Sequence, residues 1–275
     1  MLNENQNTWV ENTLSTIVDR RGFIKQVTAA GASLLAASQF IPSAFAASSK
    51  SKPVAKTFTA SDDFLVVDTL QVKDFSHLLG GQIPGLSDKQ LQAHFGLYKN
   101  YVDKTNLINQ KLHDITDEQL NASNGVYSEY RELTIERAFT HNGAALHELY
   151  FANLGQGKAS PDFDKLITRD FGSFEIFMKQ FLALGKAMRG WAMLGYDMLD
   201  GKLRTYGMDQ HHEWAPIHVY PILIMDVYEH AYMIDFGTAR AKYLDVFMAN
   251  INWSVVNNRL LYAVHHIKTG PNATL

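Results

Sequence analysis

The segment Pro221-Ile222-Leu223-Ile224-Met225-Asp226 limits most tightly what this chain can fold into. A short continuous apolar run of this kind reads as a buried strand, and this one ends on a carboxylate. Aspartate is seldom buried unless it is paired or bound to a metal. His230 follows four residues later, so a carboxylate and an imidazole meet where the strand hands over to a helix. Both are metal-ligating types. Taken alone, the pair also suits a helix cap or a salt bridge, and the rest of the chain has to decide between these.

The N-terminal stretch reads as an address. Asp19-Arg20-Arg21-Gly22-Phe23-Ile24-Lys25 fits a twin-arginine export pattern, no charge follows from Gln26 to Ser49, and Ala44-Phe45-Ala46 offers small residues for cleavage. A membrane anchor is the alternative. Against it, the stretch is only weakly apolar and carries Gly31, Ser33, Ser38 and Gln39 where a span would be rich in Leu and Ile. Residues 1–46 are therefore expected to be a signal peptide handled by the twin-arginine translocase. The mature protein is then periplasmic or secreted, with no stable membrane association. Residues 47–66 are polar and small, as in a linker.

The chain is 46% hydrophobic and 19% charged with a net charge of −3, and no basic stripe suggests a nucleic-acid partner. It has no cysteine, which removes disulfides, thiolate nucleophiles and zinc-thiolate sites together. Any metal must be held by His, Asp, Glu or backbone.

Helical periodicity predicts helices over 87–111 and 126–154, the first opening on Ser87-Asp88-Lys89-Gln90 as a capping box and the second closed by Gly155-Gln156-Gly157. The polar, turn-rich residues 113–125 between them predict an antiparallel hairpin. Further helices are expected over 162–167 and 173–187. Strands are expected over 191–199, 202–208 and 219–226, with Asp200-Gly201 turning the first into the second. Helix resumes near Tyr228 and runs again over 241–264. The fold class is α+β: an N-terminal antiparallel helical hairpin (67–157), then an α/β domain with a three-stranded antiparallel sheet (158–275).

Asp226-Val227-Tyr228-Glu229-His230-Ala231-Tyr232 closely resembles the DVWEHAY signature of the iron/manganese superoxide dismutases. His94, in Leu91-Gln92-Ala93-His94-Phe95-Gly96-Leu97-Tyr98-Lys99-Asn100-Tyr101-Val102, resembles that family's first-helix motif, in which a ligand histidine precedes a tyrosine. His147, followed by Tyr150 and Phe151, resembles the second-helix motif. Phe171-Gly172-Ser173-Phe174, Gly190-Trp191, Arg240, Tyr243 and Asn252-Trp253 extend the resemblance over roughly 70–264. It implies one Mn or Fe ion per chain on His94, His147, Asp226 and His230, with superoxide as a small-anion substrate. No thiolate competes for a softer metal. It also implies a homodimer in which Glu229 reaches the ligand histidine of the opposite subunit.

Spacing sorts the eleven histidines. Counting back from Asp226, His211 falls where the family places a Gln or His that hydrogen-bonds the metal-bound solvent, with Gln210 and His212 as competitors. Gly143 falls where the alternative Gln would stand, and its missing side chain leaves space for a group from the strand region. Tyr101 and His211 are the implied catalytic pair, and Gly143, Tyr150, Trp191 and Tyr228 the implied surroundings of the metal. His77, His113, His141, His218, His265 and His266 read as structural or solvent-facing.

The departures gather at the substrate gate. Where the family has Lys-His-His after the first ligand, this chain reads Leu97-Tyr98-Lys99 and is one residue shorter before Tyr101, so the gate histidine is absent. Met193, Tyr228 and Met233 replace two Trp and a Tyr. Two readings follow: an exported superoxide dismutase, or a dismutase-like metal-binding protein with weak or no dismutase activity. The seven-residue step from His94 to Tyr101 is close to two turns. It predicts a regular helix with the Tyr101 hydroxyl toward the open side of the metal, and Leu97 or Tyr98 in the space of the missing histidine.

Overall fold

The structure, a computed structural model, describes residues 69–267, which lie within the compact unit Leu65–Leu275. The twin-arginine segment and the linker at 47–66 fall outside the described residues. A 3-10 turn at Ser76–Leu78 leads into α1 (Asp88–His113), α2 (Asp117–Asn121), α3 (Glu129–Asn153), α4 (Pro161–Phe171) and α5 (Phe174–Ala187). Then come β1 (Trp191–Asp197), β2 (Lys202–Met208) and β3 (Val219–Asp226). A 3-10 turn at Glu229–Ala231 precedes α6 (Met233–Phe236), α7 (Arg240–Ala249) and α8 (Trp253–His266). Among the described residues no helix is long and apolar enough to cross a membrane.

Helix starts are written in the sequence. Ser87, Thr116, Ser128, Ser160, Ser173 and Asn252 each accept a backbone N–H of the helix that follows, a contribution of about 1 kcal/mol apiece. Three expectations need correcting here. The polar link between the hairpin helices holds α2, whose Thr116 and Gln119 form the reciprocal capping box expected at Ser87. The helix expected over 241–264 is two helices. Its chain breaks at Asn250-Ile251-Asn252, where Gly155 N–H donates to the Asn250 carbonyl (3.0 Å), Asn252 N–H donates to the Asn153 carbonyl (2.6 Å), and Ile251 bridges Leu154. Local periodicity carries no trace of these long-range backbone bonds. The helix expected from Tyr228 is likewise reduced to a three-residue 3-10 turn and a four-residue α6.

The sheet order is β2-β1-β3, antiparallel throughout. β1, in the centre, is buried over Trp191–Tyr196. That explains why it reads as an unbroken apolar run rather than an alternating one. Gly201 closes the β1–β2 turn at φ 72°, a left-handed conformation that suits glycine. In register, Trp191 pairs with Met208 on one side and Asp226 on the other. Paired residues share a face of the sheet, so Trp191 and Asp226 emerge together at one end, with residue 211 just beyond the end of β2. α1 and α3 bring His94 and His147 to that end.

Candidate metal centre

His94, His147, Asp226 and His230 converge so that their ligand atoms all lie within 4.8 Å of one another. His94 Nε2 and His230 Nε2 stand 3.0 and 3.1 Å from Asp226 Oδ2, and His147 Nε2 stands 3.6 Å from it and 3.4 Å from His230 Nε2. His94, His147 and Asp226 are buried, whereas the His230 side chain is 29% exposed. The other six histidines named above lie outside the cluster, five exposed and His218 half-buried.

The protonation pattern fits a cation. His147 Nδ1 donates to the Gly143 carbonyl at 2.6 Å, which puts its proton there and leaves Nε2 as a lone pair aimed at the cluster. Burial drives both His147 and His94 below the ordinary imidazole range, with the His94 charge adding to the shift on His147 and Asp226 opposing it on His94. Burial alone would raise the Asp226 carboxyl. The His230 charge and hydrogen bonds from His230 and His94 outweigh it and hold that group below the carboxylate range. Imidazole nitrogens around one carboxylate make an N/O donor set suited to a divalent first-row metal, and the residues fit one such ion.

Asp226 is fixed from several sides. Its Oδ1 accepts the Tyr228 N–H at 2.9 Å, and its carbonyl accepts the Tyr243 hydroxyl at 2.6 Å. Tyr150 lies 3.2 Å from that hydroxyl, whose hydrogen is committed to Asp226, so Tyr150 is the donor between the two phenols. Tyr150 also packs its ring 5.1 Å from His94. Tyr228 stacks on His230 at 5.0 Å, and burial raises its phenol above the ordinary range.

Of the three candidates at 210–212, His211 is the one that points inward. It is buried, its Nδ1 lies 3.0 Å from Trp191 Nε1 and its Nε2 lies 2.7 Å from the Tyr101 hydroxyl. Gln210 is exposed, and His212 is half-buried. An indole N–H can only donate, so His211 Nδ1 accepts. Burial lowers the imidazole to about 4, so the ring is neutral and its proton sits on Nε2. That proton goes to the Tyr101 oxygen. Tyr101's own hydrogen is then free to point elsewhere, and its ring lies against His147, 5.2 Å between centroids.

Helix α1 runs without interruption between His94 and Tyr101. At Gly143 the first neighbour of an added side chain is Tyr101, whose hydroxyl in turn meets His211 from beyond β2. A Cβ there would stand 2.7 Å from Tyr101 Cδ1, so glycine makes room for Tyr101, which comes from α1. A methyl group at this position would bring about 1 kcal/mol of helix propensity and meet an overpacking cost of about 1–3 kcal/mol. Gly143→Ala is therefore expected to lower the melting temperature and retain full metal content. A rise in melting temperature would mean that the ring yields freely.

Tyr98 is buried. It lies about 60° around α1 from Tyr101, packs against Phe75 and Phe151 at 6.0 Å from each, and accepts the Lys73 N–H at 3.2 Å. Leu97 is half-buried. Glu229 is exposed at the lip of an open depression of about 820 Å³, lined also by Arg189, Arg240, Tyr228 and His230.

Residues 159–259 match the family description "Iron/manganese superoxide dismutases, C-terminal domain". A superoxide dismutase [Fe] of Aquifex pyrophilus is 41% identical over 197 residues, which cover 70% of this chain and 92% of that protein. The chain belongs to the iron/manganese superoxide dismutase family. A superoxide dismutase [Fe] of Cupriavidus metallidurans is 34% identical over 194 residues, 66% of this chain and 92% of that protein. A superoxide dismutase [Mn] of Haloarcula marismortui is 35% identical over 134 residues, 47% of this chain and 66% of that protein. Relatives named for each metal match, and the four-residue cluster offers the donors that could hold one iron or manganese ion.

The sequence, through the family resemblance, singled out the four side chains that cluster here, but not the roles of Tyr243, Asn142 and Gln90. Asn142 donates to the His211 carbonyl at 2.9 Å and ties that loop to α3. All three reach backbone atoms far away in sequence, which leaves no local pattern to find.

Proposed function

We propose that this chain is an exported superoxide dismutase in which His94, His147, Asp226 and His230 hold one Mn or Fe ion. The convergence of these four side chains carries the reading, in a chain that matches a superoxide dismutase [Fe] over most of its length. Bound Mn or Fe supplies one-electron oxidation and reduction to two superoxides in turn, so that two superoxides and two protons become dioxygen and hydrogen peroxide. The protein's own part is to bind, steer and deliver protons. Arg189 and Arg240 line the depression beside the exposed face of His230, where Asp209 and Glu229 balance their charge, and the two guanidinium groups are the cations there that a small anion can approach. His211 Nε2–H, held by Trp191, satisfies the Tyr101 oxygen and turns the Tyr101 hydrogen outward as a donor. Glu229, exposed at the lip, bridges to His230 of a second copy in the homodimer.

The deciding measurement is superoxide consumption by purified mature protein of known metal content. Turnover in proportion to bound Mn or Fe is expected. Full metal without turnover would reject the dismutase reading in favour of a metal-binding relative.

Export rests on Asp19-Arg20-Arg21-Gly22-Phe23-Ile24-Lys25 and the uncharged stretch that follows. The twin-arginine route carries folded proteins, which suits an enzyme loaded with metal before it crosses. Changing both Arg20 and Arg21 to Lys is expected to leave the precursor in the cytoplasm, as judged by fractionation. Normal delivery would mean that these arginines are not the signal.

A further inference from the structure

The first turn of α1 is bonded to the segment that carries His230, and no step of the dismutase reading uses those bonds. The pattern Ser87-Asp88-Lys89-Gln90 predicts a reciprocal cap in which Gln90 reaches back to the Ser87 N–H. Ser87 does accept the Gln90 N–H, but the Gln90 side chain goes elsewhere. Almost fully buried, it donates from Nε2 to the His230 carbonyl at 2.6 Å and accepts the Ile234 N–H on Oε1 at 3.0 Å. The Ser87 N–H and hydroxyl go instead to the two oxygens of Asp235, at 2.7 and 2.6 Å. Four hydrogen bonds thus fasten residues 230–235 to one helical turn.

His230 needs that support more than the other ligands. His94 and His147 lie within helices of 26 and 25 residues, and Asp226 ends a strand paired to the centre of the sheet. His230 sits in a three-residue 3-10 turn without a side-chain cap, followed by a four-residue helix that also lacks one. It is also the most exposed of the four. Gln90 lies one turn before His94 on the same helix, so a single rigid element carries one ligand and grips the backbone of another, with the two imidazole centroids 5.0 Å apart.

We propose that Gln90, backed by Asp235, is a positioning residue that holds His230 against the metal and sets how fast the ion escapes. The proposal rests on the reading of the cluster as a metal site. The decisive bond is the donation to the His230 carbonyl. Gln90→Met keeps the volume and loses both bonds of the amide, while Gln90→Glu keeps an acceptor for Ile234 and loses the donor.

The test is release of metal from mature holoprotein to excess chelator, for wild type and both variants, with urea unfolding of the metal-free forms alongside. Outer partners of metal ligands typically account for about 10–100-fold in affinity, and release should speed up by about that factor in both variants. Wild type should remain slow in enough urea to match the variants' stability. Release at the wild-type rate from either variant would overturn the clasp, as would wild type releasing equally fast at matched stability. Wild type that takes up no metal would overturn the metal reading, and the clasp with it. Wild type that holds metal, with the variants unchanged, would overturn the clasp alone.

Discussion

Asp226→Ala is expected to leave the protein without metal. Asp226 is the one anionic group in the cluster, and its Oδ2 lies within 3.0–3.6 Å of all three ligand nitrogens. Without it, three imidazoles face one another with no negative charge to offset a divalent cation in a buried site. Metal content should fall from about one ion per chain to under about a tenth, more than the loss of an outer partner produces. Alanine also removes the acceptor of the Tyr228 N–H, so Asp226→Asn is the sharper companion: its amide oxygen can keep that bond while the charge is lost. Elemental analysis of protein grown with added Mn or Fe decides the matter. Stoichiometric metal in both variants would remove Asp226 from the site.

The four clustered side chains were legible through their resemblance to the family's motifs, and the elements that carry three of them through strong periodicity; the helix expected at His230 was not found. Asp226 closes an apolar strand, and His94 and His147 stand within long helices expected over 87–111 and 126–154 and found at Asp88–His113 and Glu129–Asn153. β2 and β3 fall at the predicted bounds for the same reason, since a turn signal or an abrupt change of polarity marks each end. What failed was everything decided between distant segments. Asn250-Ile251-Asn252 looks helical until Gly155 and Asn153 claim its backbone. Gln90 looks like a cap residue until the His230 carbonyl claims its amide. Gly143 was marked as space for a group from the strand region, and the ring that a side chain there would meet first is Tyr101, seven residues past His94 on α1. Helical geometry alone places Tyr98 and Tyr101 about 60° apart. The side on which Phe75 and Phe151 wait for Tyr98 is a tertiary fact.

Acid should strip this protein of stability and metal together, in a window set by its buried histidines. Burial lowers His211 to about 4 from an unfolded value near 6.5. A depressed histidine leaves stability untouched above about pH 6.5, where neither state binds the proton. As the pH falls below that, the unfolded chain takes up a proton that the folded one refuses. Stability is then lost until about pH 4, where the folded group also protonates. For His211 the full loss is about 3 kcal/mol. His94 and His147 are shifted in the same direction. Protons compete with the metal for their nitrogens, so the ion should leave over the same range. The Asp226 carboxyl contributes stability above the ordinary carboxylate value and loses it only as pH falls through its depressed folded value, so its effect lies below the histidine window. His211→Gln separates the terms, because glutamine can accept from Trp191 and donate to Tyr101 but cannot titrate. Urea unfolding of the metal-free forms between about pH 4 and 7 should show a shallower decline in the variant, by about one proton's worth of slope. Identical slopes would mean that His211 takes up its proton as readily in the folded protein as in the unfolded chain, and the acceptor role assigned to its Nδ1 would fall with that result.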